Sequence, residues 1–319
     1  MGDAMVLVVG AVGDWSLDTV ADALDRRGVR TFRLTTSDFP QRMTLRARLG
    51  DRWWGPITLA GQTVNVEDVT AVYYRHPRDF DLPAGLSEPE RRFAHAQARV
   101  GLGGVLSSLA ARWVNHPCAI SDNEYKPRQL ATAVAVGFRT PQILITNDQD
   151  AVREFAAATS EIILKPLAMG SLDEAGAISS LYTVKLTPAD LADLGSVRVT
   201  AHLFQQWIEP QYAVRITAIG NVLFPVAIHA HSEAARVDWR SDYDAVSYQV
   251  TRCPASVAAA IARYLSVMGL RFGAFDFIVD DYDRWWFLET NASGQWGWLA
   301  EACDLPMTEA IVAELLART

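Results

Sequence analysis

The stretch from residue 276 to residue 298, "DFIVDDYDRWWFLETNASGQWGW", has the pattern of two apolar strands joined by a turn at "DDYD". Three polar residues interrupt these runs where the side chains of a buried hairpin normally pack. They are Asp276, Glu289 and Asn291. Their position among tryptophans indicates that they do more than face solvent.

The pairing of this hairpin can be counted back from the turn. If residues 279–280 pair near residues 285–286, Asp276 lies directly opposite Glu289, and opposed residues share a face of the sheet. Asn291 is two positions beyond Glu289, so the period of two puts it on that face as well. Facing carboxylates repel unless a cation lies between them, and Asp, Glu and Asn oxygens suit Mg²⁺. The sequence therefore predicts a magnesium site here, and a solvated strand face is the alternative.

The composition describes an ordinary globular chain. Its 319 residues are 50% hydrophobic and 21% charged, enough for a large core or for two to three lobes. The net charge of −8 disfavours non-specific binding of nucleic acid. The apolar run at 5–13 is too short for a membrane span and lacks a basic leader. The three scattered cysteines, Cys118, Cys253 and Cys303, argue against a disulfide framework and a zinc site, so we expect a cytoplasmic protein.

The N-terminal region has the order strand, helix, strand, which predicts a parallel sheet. "GAVGDWS" after the first strand lacks the G-x-G-x-x-G spacing of dinucleotide sites. The predicted elements are strands at 5–10 and 29–34, helices at 16–27 and 88–110, a hairpin at 52–68 and a strand at 69–77.

A break falls near residues 115–123, after which the pattern changes. The predicted elements beyond it are helices at 123–137, 150–160 and 254–268, strands at 138–148, 161–167, 181–186 and 202–208, hairpins at 213–231 and 272–291, an irregular loop at 168–180 and a polar stretch at 232–246.

The hairpin motifs resemble a known family. "FGAFDFIVD" (272–280) with "WWFLETNASGQWGW" (285–298) resembles the metal-binding hairpin of the ATP-grasp superfamily. "NASGQWGWL" (291–299) is similar to the branch that modifies ribosomal peptides, the graspetide or microviridin-type synthetases. The resemblance covers nearly the whole chain. It implies an α/β ATP-grasp fold with an N-terminal pre-ATP-grasp domain at 1–115, a central lobe at 116–205 and a C-terminal lobe at 206–319.

The same resemblance implies that Asp276, Glu289 and Asn291 hold the Mg²⁺ ions that bridge the phosphates of ATP. Lys165, in "IILKP", matches the lysine that contacts nucleotide phosphate, although an edge lysine has the same pattern. Lys126, in "NEYKP", resembles a second phosphate lysine, although it could simply begin a helix.

"HLFQQWIEP" resembles the interlobe hinge of the family. This match makes the backbones of Gln206 and Ile208 partners of the adenine, and it places Glu209 near the ribose hydroxyls. An exposed strand carrying an ordinary surface glutamate is the alternative.

Guanidinium groups bind phosphate and carboxylate through a planar fork. Arg215, in "YAVRITAIG", matches the family arginine near the reacting phosphate. Asp238 and Arg240, in "DWR", are similar to a motif of the peptide-modifying branch. A surface salt bridge is the alternative, and for Arg236 it is the preferred interpretation.

Four further segments carry weaker signals. The loop "MGSLDEAGA" (169–177) lacks a P-loop pattern, and by resemblance it is a lid over the phosphates. His229 and His231 alternate onto one strand face, and a structural role is favoured over that of a base. Arg75 fits a lobe interface or a substrate contact, and packing at the end of a strand explains it equally well. Residues 187–195 form a short capped helix by their pattern, and the resemblance to the peptide-modifying enzymes implies that this region, with the 213–231 hairpin, could dock a leader peptide.

The implied reaction has two steps, in which ATP phosphorylates an Asp or Glu side chain of a precursor peptide and a Ser, Thr or Lys side chain then displaces phosphate. The implied partner is a precursor peptide with a leader and an acidic, hydroxyl-rich core, and a homodimer is left open. One alternative is an ATP-grasp ligase joining free amino acids or small carboxylic acids. Another is a non-catalytic, nucleotide-bound partner that binds peptides.

Overall fold

The N-terminal region is built on a parallel sheet. The computed structural model describes residues 4–168, 171–174 and 177–317. The elements of this region are β1 (Met5–Val9), α1 (Trp15–Arg26), β2 (Arg30–Leu34), β3 (Met43–Leu45), β4 (Arg48–Leu49), β5 (Trp53–Trp54), β6 (Pro56–Leu59), β7 (Gln62–Asn65), β8 (Val69–Tyr74), α2 (Glu88–Ser107) and β9 (Arg112–Val114).

The predicted β-α-β order is confirmed. The sheet order is β2-β1-β8-β9, and every neighbouring pair is parallel. Helix α1 begins where the Asp14 side chain accepts a hydrogen bond from the backbone N–H of Leu17 at 3.1 Å. It is followed by Gly28, whose φ of +69° lies in the left-handed region that favours glycine. The parallel strands bring residues 10–16 and residues 75–76 to one edge of the sheet.

The central region carries a smaller antiparallel sheet, of order β10-β15-β11-β14. Its elements are α3 (Pro117–Glu124), α4 (Lys126–Val136), β10 (Ile143–Thr146), α5 (Gln149–Thr159), β11 (Ile162–Lys165), β12 (Ser171–Glu174), β13 (Ala177–Ser180), β14 (Val184–Lys185), α6 (Pro188–Ala192) and β15 (His202–Gln206).

The C-terminal region holds a larger antiparallel sheet, of order β18-β17-β16-β19-β20. Its elements are β16 (Tyr212–Ile219), β17 (Val222–Ala230), α7 (Glu233–Val237), β18 (Val246–Val250), α8 (Ala255–Met268), β19 (Phe272–Val279), β20 (Trp285–Asn291), α9 (Gly297–Ala302) and α10 (Met307–Leu316).

One apolar core joins the two ends of the chain. Helix α10 packs on α1 and the N-terminal sheet, and the far ends of β16 and β17 reach the same cluster. Burying these side chains together removes apolar surface from water, the main driving force of folding. The fully or almost fully buried members include Val6, Val8, Leu17, Val20, Val226, Trp296, Leu299, Ile311 and Val312.

The structure corrects the predicted helix at 123–137. Two helices, α3 and α4, meet at Tyr125, which is extended with φ −75° and ψ 95°. Pro127 has no N–H for the carbonyl of Asn123, which a continuous helix would require. That carbonyl instead accepts a hydrogen bond from the side chain of Gln129.

Three other expectations change. The predicted loop at 168–180 contains the hairpin β12–β13. Its strands pair through backbone hydrogen bonds, which need no alternation of apolar residues in the sequence. Residues 169, 170, 175 and 176 lie outside the described residues. The strand at 181–186 is reduced to β14. The polar stretch at 232–246 contains α7, which Ser232 caps by accepting from the N–H of Ala235 at 3.2 Å.

Among the described residues, no helix is long and apolar enough to cross a membrane.

Candidate active site

Asp276 and Glu289 face each other across β19 and β20, as the spacing predicts. The count that led there was wrong near the turn, because Val279 pairs with Trp285 and residue 280 lies in the turn. The register shifts between Phe277 and Asp276, so β20 carries one extra residue at this point. This bulge restores the alignment of the two carboxylates, which are 6% and 7% exposed.

Asn291 lies opposite Ala274, two residues beyond Glu289 and on the same side of β20. The backbone of Gly294 lies close to Asn291, since a Cβ placed on Gly294 would be 3.1 Å from the Cβ of Asn291. It would also be 2.7 Å from the Cβ of Ala274. Glycine at 294 therefore allows the chain after β20 to fold back closely over the end of the hairpin.

Arg215 is the nearest cation to Asp276. It lies directly opposite Asp276 on β16, and its Nη1 is 3.1 Å from both carboxylate oxygens. Its Nη2 donates to the carbonyl of Gln295 at 3.4 Å, and Trp239 covers its guanidinium at 5.8 Å. Burial raises the pKa of Asp276, against the lowering effect of Arg215.

Glu289 is held between two other cations. Lys126 Nζ lies 3.3 Å from Oε2, and Arg240 Nη1 donates to Oε1 at 3.2 Å. Burial acts to raise the pKa of Glu289, but Lys126, Lys165 and Arg240 hold it well below its usual range. Lys126 also donates to the carbonyl of Pro166 at 2.6 Å, so it joins the start of α4 to the end of β11.

Asp238 orients Arg240. The Asp238 carboxylate is buried and accepts from Arg240 Nε at 2.8 Å and from Arg240 Nη2 at 2.9 Å. It also accepts from the backbone N–H of Thr183 at 3.2 Å, which ties it to the central region. Burial acts to raise the pKa of Asp238, and these hydrogen bonds lower it overall. The alternative of a surface salt bridge does not hold for Asp238 and Arg240, because Asp238 is only 6% exposed.

Lys165 ends β11 and is 8% exposed. Burial lowers the pKa of Lys165, Glu289 opposes this effect, and Lys126 adds to it. The position is not that of a lysine on an exposed sheet edge, because β11 lies between β15 and β14.

A cleft between the central and C-terminal sheets is lined by Lys165, Asp238, Arg240, Asp276 and Glu289. Lys126 and Arg215 lie next to it, in contact with Glu289 and Asp276. Carboxylates and cations occupy one part of it, and apolar side chains such as Ile163, Trp207 and Ile228 line another. Trp207 was missed in the sequence, although the motif "QQWIEP" contains it. Thr183 and Trp239 also line the cleft and carried no signal of their own.

The predicted hinge residues lie at the end of β15, where Gln206 is the last strand residue, and in the segment directly after it. The N–H of Gln206 donates to the carbonyl of Gln142 at 2.9 Å, so only its carbonyl is open to a base. Ile208 is buried, and no acceptor for its N–H is found among the described residues. Glu209 accepts from Trp207 Nε1 at 2.9 Å and from Arg236 Nη1 at 3.0 Å. The surface salt bridge preferred for Arg236 is thus confirmed.

The remaining predicted residues lie in the following places. Arg75 is buried and contacts residues 294–295, so its lobe-interface interpretation is confirmed. His229 packs its ring at 5.4 Å from Tyr212, and His231 Nε2 lies 2.9 Å from Ser247 Oγ. Both histidines therefore have structural partners.

The donor set can be compared with the needs of Mg²⁺. Among the described residues, no cluster of three or more His, Cys, Asp or Glu side chains is arranged as a metal site. However, Mg²⁺ is usually bound by one or two carboxylates together with substrate phosphates. Asp276 and Glu289, with the amide of Asn291 on the same face, fit that requirement.

A comparison with family models matches residues 5–121 to the MvdD pre-ATP grasp domain. No curated protein matches the chain at a significant level. Solved structures do match it over nearly its whole length.

A ligase from Chryseobacterium gregarium, an ATP-grasp enzyme associated with ribosomal peptides and in complex with ADP and a leader and core peptide, is 25% identical. It has a TM-score of 0.89, with 98% of this chain and 96% of that chain covered. The macrocyclase MdnC from Microcystis aeruginosa MRC, bound with the precursor peptide MdnA, is 26% identical with a TM-score of 0.86, covering 98% and 99% of the two chains. The macrocyclase MdnB from the same organism is 28% identical with a TM-score of 0.81, covering 99% and 100%. These similarities confirm the expected α/β fold with its N-terminal parallel sheet.

Proposed function

We propose, from the premise that this chain is an ATP-grasp ligase of the graspetide-maturase family, that it uses ATP to form macrocycles between side chains of a ribosomal precursor peptide. An Asp or Glu side chain of the peptide would be activated, and a Ser or Thr hydroxyl or a Lys amine would be the acceptor. The similar proteins from Chryseobacterium and Microcystis support a peptide as the substrate, since their structures contain leader, core or precursor peptides.

The observation that carries this proposal is the charge arrangement of the cleft. Four cationic side chains, Arg215, Arg240, Lys126 and Lys165, surround three buried carboxylates, so one positive charge is in excess. Such an excess in a partly desolvated cleft attracts an anion more strongly than the same charges would in water. A nucleotide triphosphate is an anion of suitable charge.

The first step transfers the γ-phosphoryl group of ATP to a carboxylate oxygen of the peptide. A new P–O bond forms to the carboxylate, and the bond to the β-phosphate oxygen breaks, so ADP leaves. In this proposal Arg215 and Lys165 stabilise the negative charge on the transferring group, the dominant contribution in such reactions. Asp276, Glu289 and Asn291 would hold magnesium, which would neutralise part of the negative charge of the phosphates.

The second step joins the peptide to itself. The acceptor oxygen or nitrogen attacks the carbonyl carbon of the acyl phosphate, and the C–O bond to the phosphate breaks. Inorganic phosphate leaves with the proton that the acceptor loses. In this proposal Arg240, whose guanidinium Asp238 holds through two hydrogen bonds, binds the leaving phosphate or the acyl oxygen. Each ring therefore removes one water from the peptide.

The apolar part of the cleft suits the adenine. Trp207, Ile163 and Ile228 offer flat apolar surface, while the carbonyl of Gln206 and the N–H of Ile208 offer one acceptor and one donor. Glu209 would reach the ribose only by leaving Arg236, and because that pair is exposed, its loss costs about 0–1 kcal/mol.

The test is co-expression of the chain with the precursor peptide encoded nearest its gene, followed by mass spectrometry. The wild type should give products lighter by one water per ring, and Glu289→Ala should give unmodified precursor. Arg153→Gln, an exposed residue of α5 that pairs only locally with Asp150 in the described structure, is the matched control and should cyclise normally.

Unchanged precursor mass together with ATP turnover on free amino acids would contradict the proposal. It would favour a ligase for small carboxylic acids, because the nucleotide residues would be the same. Full cyclisation by Glu289→Ala would contradict the metal assignment.

A further inference from the structure

The segment 293–295, directly after the hairpin that carries Asp276 and Glu289, is contacted from the N-terminal region. Arg75, at the end of β8, donates from Nη1 to the carbonyl of Gly294 at 3.3 Å. Its Nη2 donates to Oε1 of Gln295 at 3.1 Å. Arg75 is 2% exposed, and its Nε lies 3.6 Å from Oδ2 of Asp14.

The same segment is contacted from the candidate active site. Arg215 Nη2 donates to the carbonyl of Gln295 at 3.4 Å. A Cβ on Gly294 would be 2.9 Å from that same Nη2, so the backbone lies directly against the guanidinium. Arg75 and Arg215 therefore hold opposite sides of one short stretch of chain.

Arg215 has few other constraints. Its Nε is buried and has no hydrogen-bond partner among the described residues. Its remaining contacts are Asp276, which is also a proposed metal ligand, and the face of Trp239. Among the acceptors of Arg215 in the described part of the chain, the Gln295 carbonyl is thus the one that the proposed chemistry does not use.

We propose that Arg75 is a positioning residue, which fixes the Gln295 backbone and thereby the guanidinium of Arg215. This inference rests on the proposed function, because Arg215 is the group whose position it would control. The physical basis is that a planar guanidinium fork holds two acceptors in a fixed relative orientation, whereas the donors of a lysine ammonium rotate on a flexible stem. A misplacement of about 1 Å in such a site can cost about a hundredfold in rate.

The kinetic test uses two variants of the full chain. Arg75→Lys keeps the charge and removes the fork, and Gln295→Ala removes an exposed side chain whose Oε1 accepts from Arg75 and, at 3.4 Å, from Ser16 Oγ. We expect kcat to fall about 10-fold to 100-fold for Arg75→Lys and about 3-fold to 10-fold for Gln295→Ala. KM for ATP should change less than about twofold in both, because the adenine part of the cleft is untouched.

A control variant separates positioning from domain stability. Glu314→Gln removes ion pairs of 2.9 Å that α10 makes with Arg112 of β9 and with Arg271, without touching residues 293–295 in the described structure. It should lower Tm while leaving kcat unchanged. If Arg75→Lys and Gln295→Ala also lower only Tm, Arg75 is merely structural and the proposal is overturned.

A double-mutant cycle shows whether Arg75 acts through Arg215. If it does, Arg75→Lys should have little further effect on kcat in an Arg215→Lys background. Independent multiplication of the two losses would overturn the inference. Crystal structures of Gln295→Ala and the wild type provide a readout that needs no peptide, and the Gln295 carbonyl should shift, together with the Arg215 guanidinium that contacts it, only in the variant. An unchanged Arg215 would overturn the inference, whereas failure of the wild type to cyclise any precursor would count only against the proposed function.

Discussion

Arg215 and Asp276 lie directly opposite each other on neighbouring antiparallel strands, with one guanidinium nitrogen 3.1 Å from both carboxylate oxygens. Both side chains are almost completely buried, at 5% and 6% exposure. A pair of this kind is expensive to break from one side, because the remaining charge stays buried without its partner.

We therefore expect Asp276→Ala to lower the free energy of unfolding by about 3–5 kcal/mol. The measurement is urea denaturation. Glu88→Ala, which removes an exposed ion pair with Arg92, is the control and should cost less than about 1 kcal/mol. Similar losses for the two variants would show that the Asp276 carboxylate is neutralised in another way.

Glu289→Gln should lower the rate of cyclisation about a hundredfold or more, since it removes the negative charge of a proposed magnesium ligand and so weakens electrostatic stabilisation of the reacting phosphates. Leader binding, measured by fluorescence anisotropy with a labelled leader peptide, should stay within about twofold. A parallel loss of leader binding would mean that the cleft and the leader site are not separate.

ADP with magnesium should stabilise the wild type against heat, by about 2.7 kcal/mol at a ligand concentration of 100 times Kd. Lys165→Met should lose most of this shift in Tm, because it removes a buried cation from the proposed phosphate site. Chelating magnesium with EDTA should reduce the shift of the wild type as well. An undiminished shift in Lys165→Met would place the phosphates elsewhere.

Gly294→Ala should both destabilise the chain, by about 1–3 kcal/mol, and slow catalysis, because the new methyl group would press on Ala274 and Arg215. The matched control is Gly101→Ala in α2, where a Cβ would have no neighbour within 4 Å. That variant should be more stable by about 0.5–1 kcal/mol. A neutral Gly294→Ala would show that the loop can move away without cost.

Asp280 should make stability depend on pH at the turn of the hairpin. Its carboxylate accepts from the N–H groups of Tyr282 and Arg284 at 3.0 Å, from Arg284 Nε at 2.7 Å and from Trp286 Nε1 at 2.8 Å. Burial acts to raise the pKa of Asp280, but these hydrogen bonds lower it to about 2.

Because the folded-state pKa is depressed, the stabilisation is complete above the unfolded value of about 3.9 and is lost as the pH falls toward 2. Asp280→Asn should thus cost about 1–3 kcal/mol at pH 7 and progressively less below pH 4. Asp281→Asn, at the exposed neighbouring position, is the matched control and should change the free energy of unfolding by less than about 0.5 kcal/mol at pH 7. A cost for Asp280→Asn that is constant from pH 7 to pH 3 would contradict the assignment.

The alternation of apolar residues predicted most of the elements, and the facing of Asp276 and Glu289 came from strand periodicity alone. The bulge in β20 could not be predicted, because one extra residue shifts the register without leaving a mark in the local pattern. The pairing proposed at the turn was therefore wrong by one residue. The bulge shifts the register by one residue in the opposite direction, so the predicted pairing of Asp276 with Glu289 is still correct. The break at Tyr125 did have a signal, in Pro127, which argues against one continuous helix.

The cations of the site were found through family resemblance, and their partners were not. That Asp238 binds Arg240, or that Lys126 reaches Glu289, depends on how α4, β20 and the turn after α7 pack together. Sequence separation of more than 160 residues between Lys126 and Glu289 leaves no local pattern for such a contact. The assignment of Gln206, Ile208 and Glu209 to the nucleotide stays a prediction, as do the domain boundaries.

The cluster that unites α10, α1 and the ends of β16 and β17 has a consequence for handling the protein. An isolated N-terminal fragment would expose the side chains of Val6, Val8 and Leu17 to water, and the complementary fragment would expose those of Ile311 and Val312. Both pieces should aggregate when expressed alone, and the intact chain should melt in a single calorimetric transition.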